Sequence, residues 1–102
     1  MTKVAGEIVS LAILEALPGK EDELFAFLRE FYTMMKSKQY SRDSLHRDAS
    51  RPDRFVHLRY WRSEEARMEA QADPEVHRYW LKLPELCTIA TVYENLETVF
   101  ET

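Results

Sequence analysis

The stretch that decides the fold is EIVSLAILEA, residues 7–16, in which β-branched and aliphatic residues run almost unbroken until Pro18-Gly19 closes it. Side chains alternate across a strand, so Ile8, Ser10, Ala12 and Leu14 share one face and Val9, Leu11 and Ile13 the other. Neither face suits water, and the segment reads as a strand buried on both sides. Over residues 20–36 the period changes. Leu24, Phe27, Leu28, Phe31 and Met35 fall at helical spacing behind Glu21, Asp22 and Glu23, whose charges favour a helix N-terminus. Residues 40–48 are polar and alternating, as at a sheet edge, and residues 49–53, ASRPD, read as a turn. The strand that follows sets Phe55, His57, Arg59 and Trp61 on one face and Val56, Leu58 and Tyr60 on the other. Ser63 is placed to cap a short helix, Asp73-Pro74 to start another that Pro84 stops, and residues 86–96 supply the last strand.

The order β-α-β-β-α-β, with its second helical segment broken in two, predicts an α+β ferredoxin-like fold: a split βαβ unit with a four-stranded antiparallel sheet and its helices on one face. Helices on one side leave Val9, Leu11, Ile13, Val56, Leu58 and Tyr60 uncovered on the other. At roughly 25 cal/mol per Å² of apolar surface, leaving several such side chains in water forgoes several kcal/mol, a large part of a small domain's stability. The sequence therefore predicts a homodimer in which a second copy covers the open face, against the alternative of a monomer with an open sheet.

A length of 102 residues is one domain, 1–102, and a composition 45% hydrophobic and 31% charged is that of a compact chain. Fourteen Lys and Arg against eighteen Asp and Glu leave a net charge of −4, so no basic field draws a nucleic acid or an anionic membrane surface. A lone cysteine, Cys87, allows no internal disulfide and points to a reducing cytoplasm. Glu7 precedes any apolar stretch, and no run approaches the ~18 residues of a membrane span. The isolated Gly6 and Gly19 cradle no phosphate, and no Cys/His cluster has metal-finger spacing.

Residues 52–76, PDRFVHLRYWRSEEARMEAQADPEV, resemble the middle segment of the antibiotic biosynthesis monooxygenase family. They carry an Asp-Pro turn, an aromatic strand with its tryptophan, and Ser-Glu-Glu-Ala and Asp-Pro helix starts. Residues 11–24, LAILEALPGKEDEL, are similar to that family's opening. The resemblance implies a dimeric α+β barrel and, among the activities this scaffold hosts, cofactor-free oxidation of a small, flat, partly apolar quinol- or polyketide-like molecule. The rival function is a non-catalytic small-ligand-binding or stress-related homodimer. Arg59, Ala70 and Glu75 stand where many members have a glutamate and two histidines. Ala12, Ala70 and Trp80 stand at the positions of the haem-degrading branch's asparagine, tryptophan and histidine, which disfavours haem degradation.

A cofactor-free oxygenase needs an apolar slot, a base and hydrogen-bond donors for an anion. The one-face cluster offers them: His57 as base and Arg59 as anion holder, with Trp61 and Phe55 on the same face. Beside this stands the structural reading, in which His57 is a bonded core residue, Arg59 pairs with an acid and Trp61 packs. His77, Trp80 and Leu81 share a face of the last helix, so His77 and Trp80 are expected to wall the pocket. His46 joins it only if the hairpin register sets it opposite Phe55; both registers are open to the turn. No metal or organic cofactor is expected.

Overall fold

The computed structural model describes residues 7–102. Residues 1–6, on which part of the targeting argument rests, lie outside the described residues. The elements run β1 (Ile8–Ala16), α1 (Glu21–Ser37), β2 (Ser41–Asp48), β3 (Arg51–Trp61), α2 (Glu64–Gln71), α3 (Pro74–Lys82) and β4 (Cys87–Glu97), with one 3-10 turn at Leu83–Glu85 before the last strand. The four strands form one antiparallel sheet in the order β2-β3-β1-β4, so the apolar β1 lies in its middle. This is the α+β arrangement expected from the element order.

Local chemistry accounts for the boundaries. Gly19 takes a left-handed φ of 74° in the turn after β1, a conformation that costs glycine little. The Ser63 hydroxyl accepts the Ala66 N–H at 3.0 Å and caps α2. Asp73 Oδ1 accepts the Glu75 N–H at 2.9 Å and caps α3, while its Oδ2 takes Lys38 Nζ at 2.8 Å and Tyr40 Oη at 2.7 Å. These donors hold the Asp73 carboxyl well below the usual carboxylate range and tie the start of α3 to the end of α1.

The core lies between the sheet and the helices. Leu14 and Phe55 come from the strands, Leu24, Leu28, Phe31 and Met35 from α1, and Val76 from α3, all buried. On the opposite face Val9, Leu11, Ile13, Val56, Leu58 and Tyr60 are only half-buried, and Tyr93 and Leu96 of β4, paired with Leu11 and Val9, are exposed. No described helix packs there. No helix among the described residues is long and apolar enough to cross a membrane.

The β2–β3 hairpin differs from the expected one in two ways. Its turn is Ala49-Ser50 rather than residues 49–53, because Asp48 Oδ1 accepts both the Ser50 N–H and its hydroxyl, at 2.9 and 2.7 Å, and closes the chain early. Pro52 then falls inside β3, beyond the last β1 partner at Arg54, where a missing N–H leaves no ladder bond unmade on that side. The register pairs His46 with Val56 and Leu45 with His57. This puts His46 on the face away from the helices, in a side-chain bond to Ser44 at 3.0 Å.

Candidate active site

A cavity of about 390 Å³ lies between the sheet and the helices. Its floor is Ser10, Ala12 and Leu14 of β1 with His57, Arg59 and Trp61 of β3, and its roof is Leu28 and Phe31 of α1, Ala70 of α2 and Val76, His77 and Trp80 of α3. Ile89 and Val92 of β4 line it on the side where the sheet ends, and these two are partly exposed, as is Trp80 at 45%. The pocket is thus apolar, of a size that suits a small molecule, and open to solvent between β4 and α3.

Of the candidate residues, the structure brings together His57, Arg59, Trp61, His77 and Trp80 around this one cavity. Phe55 lies on the same sheet face but deeper, edge-on to Phe25 with centroids 5.3 Å apart, and does not line the cavity. His46 is excluded by the register, for a physical reason visible in the side chains. Pairing His46 with Phe55 would have set Arg42 across from Arg59 on the buried face, two like charges out of water. The observed register sets Asp43 there instead.

Arg59 is 1% exposed, a cation in the interior. Its Nε donates to Asp43 Oδ1 at 2.5 Å, and the Asp43 side chain is itself wholly buried. Three rings surround the guanidinium: Phe31, Trp61 and Trp80, with centroids 4.8, 5.4 and 5.8 Å from its central carbon. Such faces attract a cation but accept few of its hydrogen bonds. Nη2 is left buried with no hydrogen-bond partner. Burial raises the Asp43 carboxyl, against the lowering effect of the Arg59 charge and its hydrogen bond.

His57, two residues earlier on β3, is bonded through Nδ1 to the Tyr32 hydroxyl of α1, and its Nε2 lies 4.0 Å from Asp43 Oδ1. Burial, and behind it the Arg59 cation, push His57 down to about 3. The imidazole is therefore neutral at physiological pH. Burial also pushes the Tyr32 hydroxyl above its ordinary range, with Asp43 adding to it, so the phenol keeps its proton and donates it to Nδ1. The remaining ring hydrogen then sits on Nε2, the nitrogen on the Asp43 side. In this state His57 is a hydrogen-bond donor rather than the base expected from a free histidine, because its lone pair is occupied and its charged form is desolvated. Trp61 is fixed by a separate chain: its Nε1 donates to Ser10 Oγ at 2.9 Å, and Ser10 Oγ donates to the Glu94 carbonyl, also at 2.9 Å.

Tyr32, Asp43 and Ser10 are the site residues that sequence reasoning missed. The signal for Asp43 was present: only one of the two hairpin registers opposes it to Arg59. Among the described residues no three His, Cys, Asp or Glu side chains converge on a metal-sized site. Cys87, whose thiol burial pushes up to about 11, is a free buried cysteine at the start of β4.

No family model and no curated protein matches this chain. Solved structures do. One is SnoaB, a cofactor-independent oxygenase from Streptomyces nogalater, with a TM-score of 0.77 at 18% identity over 95% of this chain and 100% of that one. The chain has the fold of the antibiotic biosynthesis monooxygenases. Proteins provisionally named as such from Chloroflexus aurantiacus and Bacteroides thetaiotaomicron superpose with TM-scores of 0.68 and 0.70, at 25% and 17% identity. The first covers 94% of both chains, the second 91% of this chain and 88% of that one. The monooxygenase fold thus extends across nearly all of the chain, and it places the Arg59 cavity between sheet and helices.

Proposed function

We propose that this chain is a cofactor-independent monooxygenase of the antibiotic-biosynthesis type, acting on a small, flat, partly apolar quinol- or polyketide-like molecule in the Arg59 cavity. The observation that carries this reading is the buried guanidinium with an unmade hydrogen bond beside an apolar, aromatic-walled cavity. An electron-rich carbon acid reacts with oxygen only as its anion. A preorganised donor in a dry site lowers the cost of forming that anion. Arg59 and the neutral His57 supply the donors, Trp61 and Trp80 hold the ring plane, and the proton leaves to water through the open side of the pocket. Molecular oxygen is the oxidant: a ring CH₂ becomes a carbonyl, one oxygen atom stays on carbon and the other leaves as water.

The open sheet face is assigned to a second copy of the chain. Half-buried Val9, Leu11, Ile13, Val56, Leu58 and Tyr60 form one continuous apolar surface on β1 and β3, extended by Tyr93 and Leu96 of β4. A free buried thiol at Cys87 suits a cytoplasmic location. The test is oxygen uptake with a panel of hydroquinones and anthrones, comparing the wild type with His57→Ala and Trp61→Phe. Uptake above buffer that falls at least tenfold in both folded variants supports the oxygenase. Uptake equal to buffer across the panel favours the non-catalytic ligand-binding homodimer.

A further inference from the structure

We infer that the cavity selects a planar aromatic ligand bearing an oxyanion, carboxylate or phenolate, and seats that oxygen on the Arg59 guanidinium. The inference rests on the reading of this cavity as the substrate site and adds the charge class of what enters it.

Three observations carry it. First, Asp43 engages only the Nε edge of Arg59, while Nη2 is buried and without a partner. An unmade bond from a buried charged donor costs on the order of 1–3 kcal/mol or more, which an acceptor on the ligand would recover. Second, the groups that can stand beside that donor inside the cavity are apolar or aromatic: Phe31, Trp61 and Trp80 give faces to the cation and no oxygen. The acceptor must arrive with the ligand. Third, the charges around the cavity favour an anion. Asp43 offsets Arg59, but Arg67 of α2 also lines the cavity, with its side chain only 17% exposed and its sole described ion pair a 3.4 Å contact with Glu64. The opposing carboxylate, Glu94, belongs to an exposed position on β4. A flat ring fits the walls, and charge-assisted bonding to a guanidinium distinguishes an oxyanion from a neutral hydroxyl.

The test is binding under anaerobic conditions, so that no turnover is required. Isothermal titration of the wild type with 2-naphthoate, 2-naphthol and the neutral 2-naphthalenemethanol compares one ring system with three end groups. The expected result at pH 7 is naphthoate at least tenfold tighter than the carbinol, with naphthol gaining affinity as the pH rises toward its ionisation. If the carboxylate gains nothing and the naphtholate does, the oxyanion is a phenolate; the reverse makes it a carboxylate.

The paired variant Asp43→Asn/Arg59→Gln removes both charges together and should reduce the naphthoate preference to under threefold. Should that variant not fold, the wild-type Arg59 Nε–H resonance serves instead, moving with naphthoate and not with the carbinol. Equal affinity of acid and carbinol, a preference retained in the paired variant, or no binding of any naphthalene at millimolar concentration overturns the inference. A protein that binds naphthoate selectively yet consumes no oxygen with any substrate keeps this inference and removes the oxygenase reading.

Discussion

Replacing His57 by Gln should remove a pH dependence that the fold imposes on the wild type. In the unfolded chain a histidine titrates near its ordinary value of about 6.5, whereas in the fold burial and the Arg59 cation hold His57 at about 3. Between those values the unfolded state binds the proton and the native state does not, so stability falls as the pH drops through that window. With these two values the linkage relation gives a loss of about 2 kcal/mol between pH 7 and pH 5. At a urea slope typical of a chain this size, that is a midpoint shift of roughly 1–2 M. Asp43, whose carboxyl is raised, titrates in the opposite sense, and as it is present in both proteins it largely cancels in the difference. The assay is urea unfolding of wild type and His57→Gln at pH 7, 6 and 5 and one fixed protein concentration, since assembly shifts apparent stability. Parallel pH dependence in the two proteins would refute the claim that His57 is buried neutral against Arg59.

Asp43→Asn should cost about 3–5 kcal/mol by leaving the Arg59 charge unpaired in the interior, and Asp43→Asn/Arg59→Gln should recover most of it; a double-mutant cycle by urea unfolding measures the coupling. Ala70→Phe, which puts a ring into the cavity from α2, should weaken naphthoate binding more than tenfold while the thermal midpoint falls little, as titration and a melting curve on one preparation will show. Leu58→Glu, a charge in the middle of the open sheet face, should convert a dimer at micromolar concentration into a folded monomer by sedimentation velocity; a wild type already monomeric contradicts the assigned second copy.

The fold was legible because its signals were local and agreed with one another. The double-sided apolar run of β1, the helical spacing from Leu24 to Met35, and the caps at Ser63 and Asp73 each have one physical solution, and together they leave few topologies. The face shared by His57, Arg59 and Trp61 was legible for the same reason, since strand alternation needs no tertiary knowledge. What depended on pairing between segments was not. His46 turned on a register, and that register on an Asp48–Ser50 turn bond that shortened the loop. Tyr32 looked like one more aromatic on an amphipathic helix; only the packing of α1 on β3 gives its hydroxyl a partner in His57. The neutral state of His57 was also invisible, because desolvation is a property of the assembled core.

The central claim is that the space beside Arg59 is where a flat substrate is held by its oxygen. The most direct measurement is a crystal structure of the protein with 1,8-dihydroxyanthrone, grown without oxygen. The account predicts density between α3 and β3, its ring plane against Trp61 and Trp80, and an oxygen within hydrogen-bonding distance of the Arg59 guanidinium. Density confined to the open sheet face, or a cavity that stays empty at saturating ligand, contradicts it.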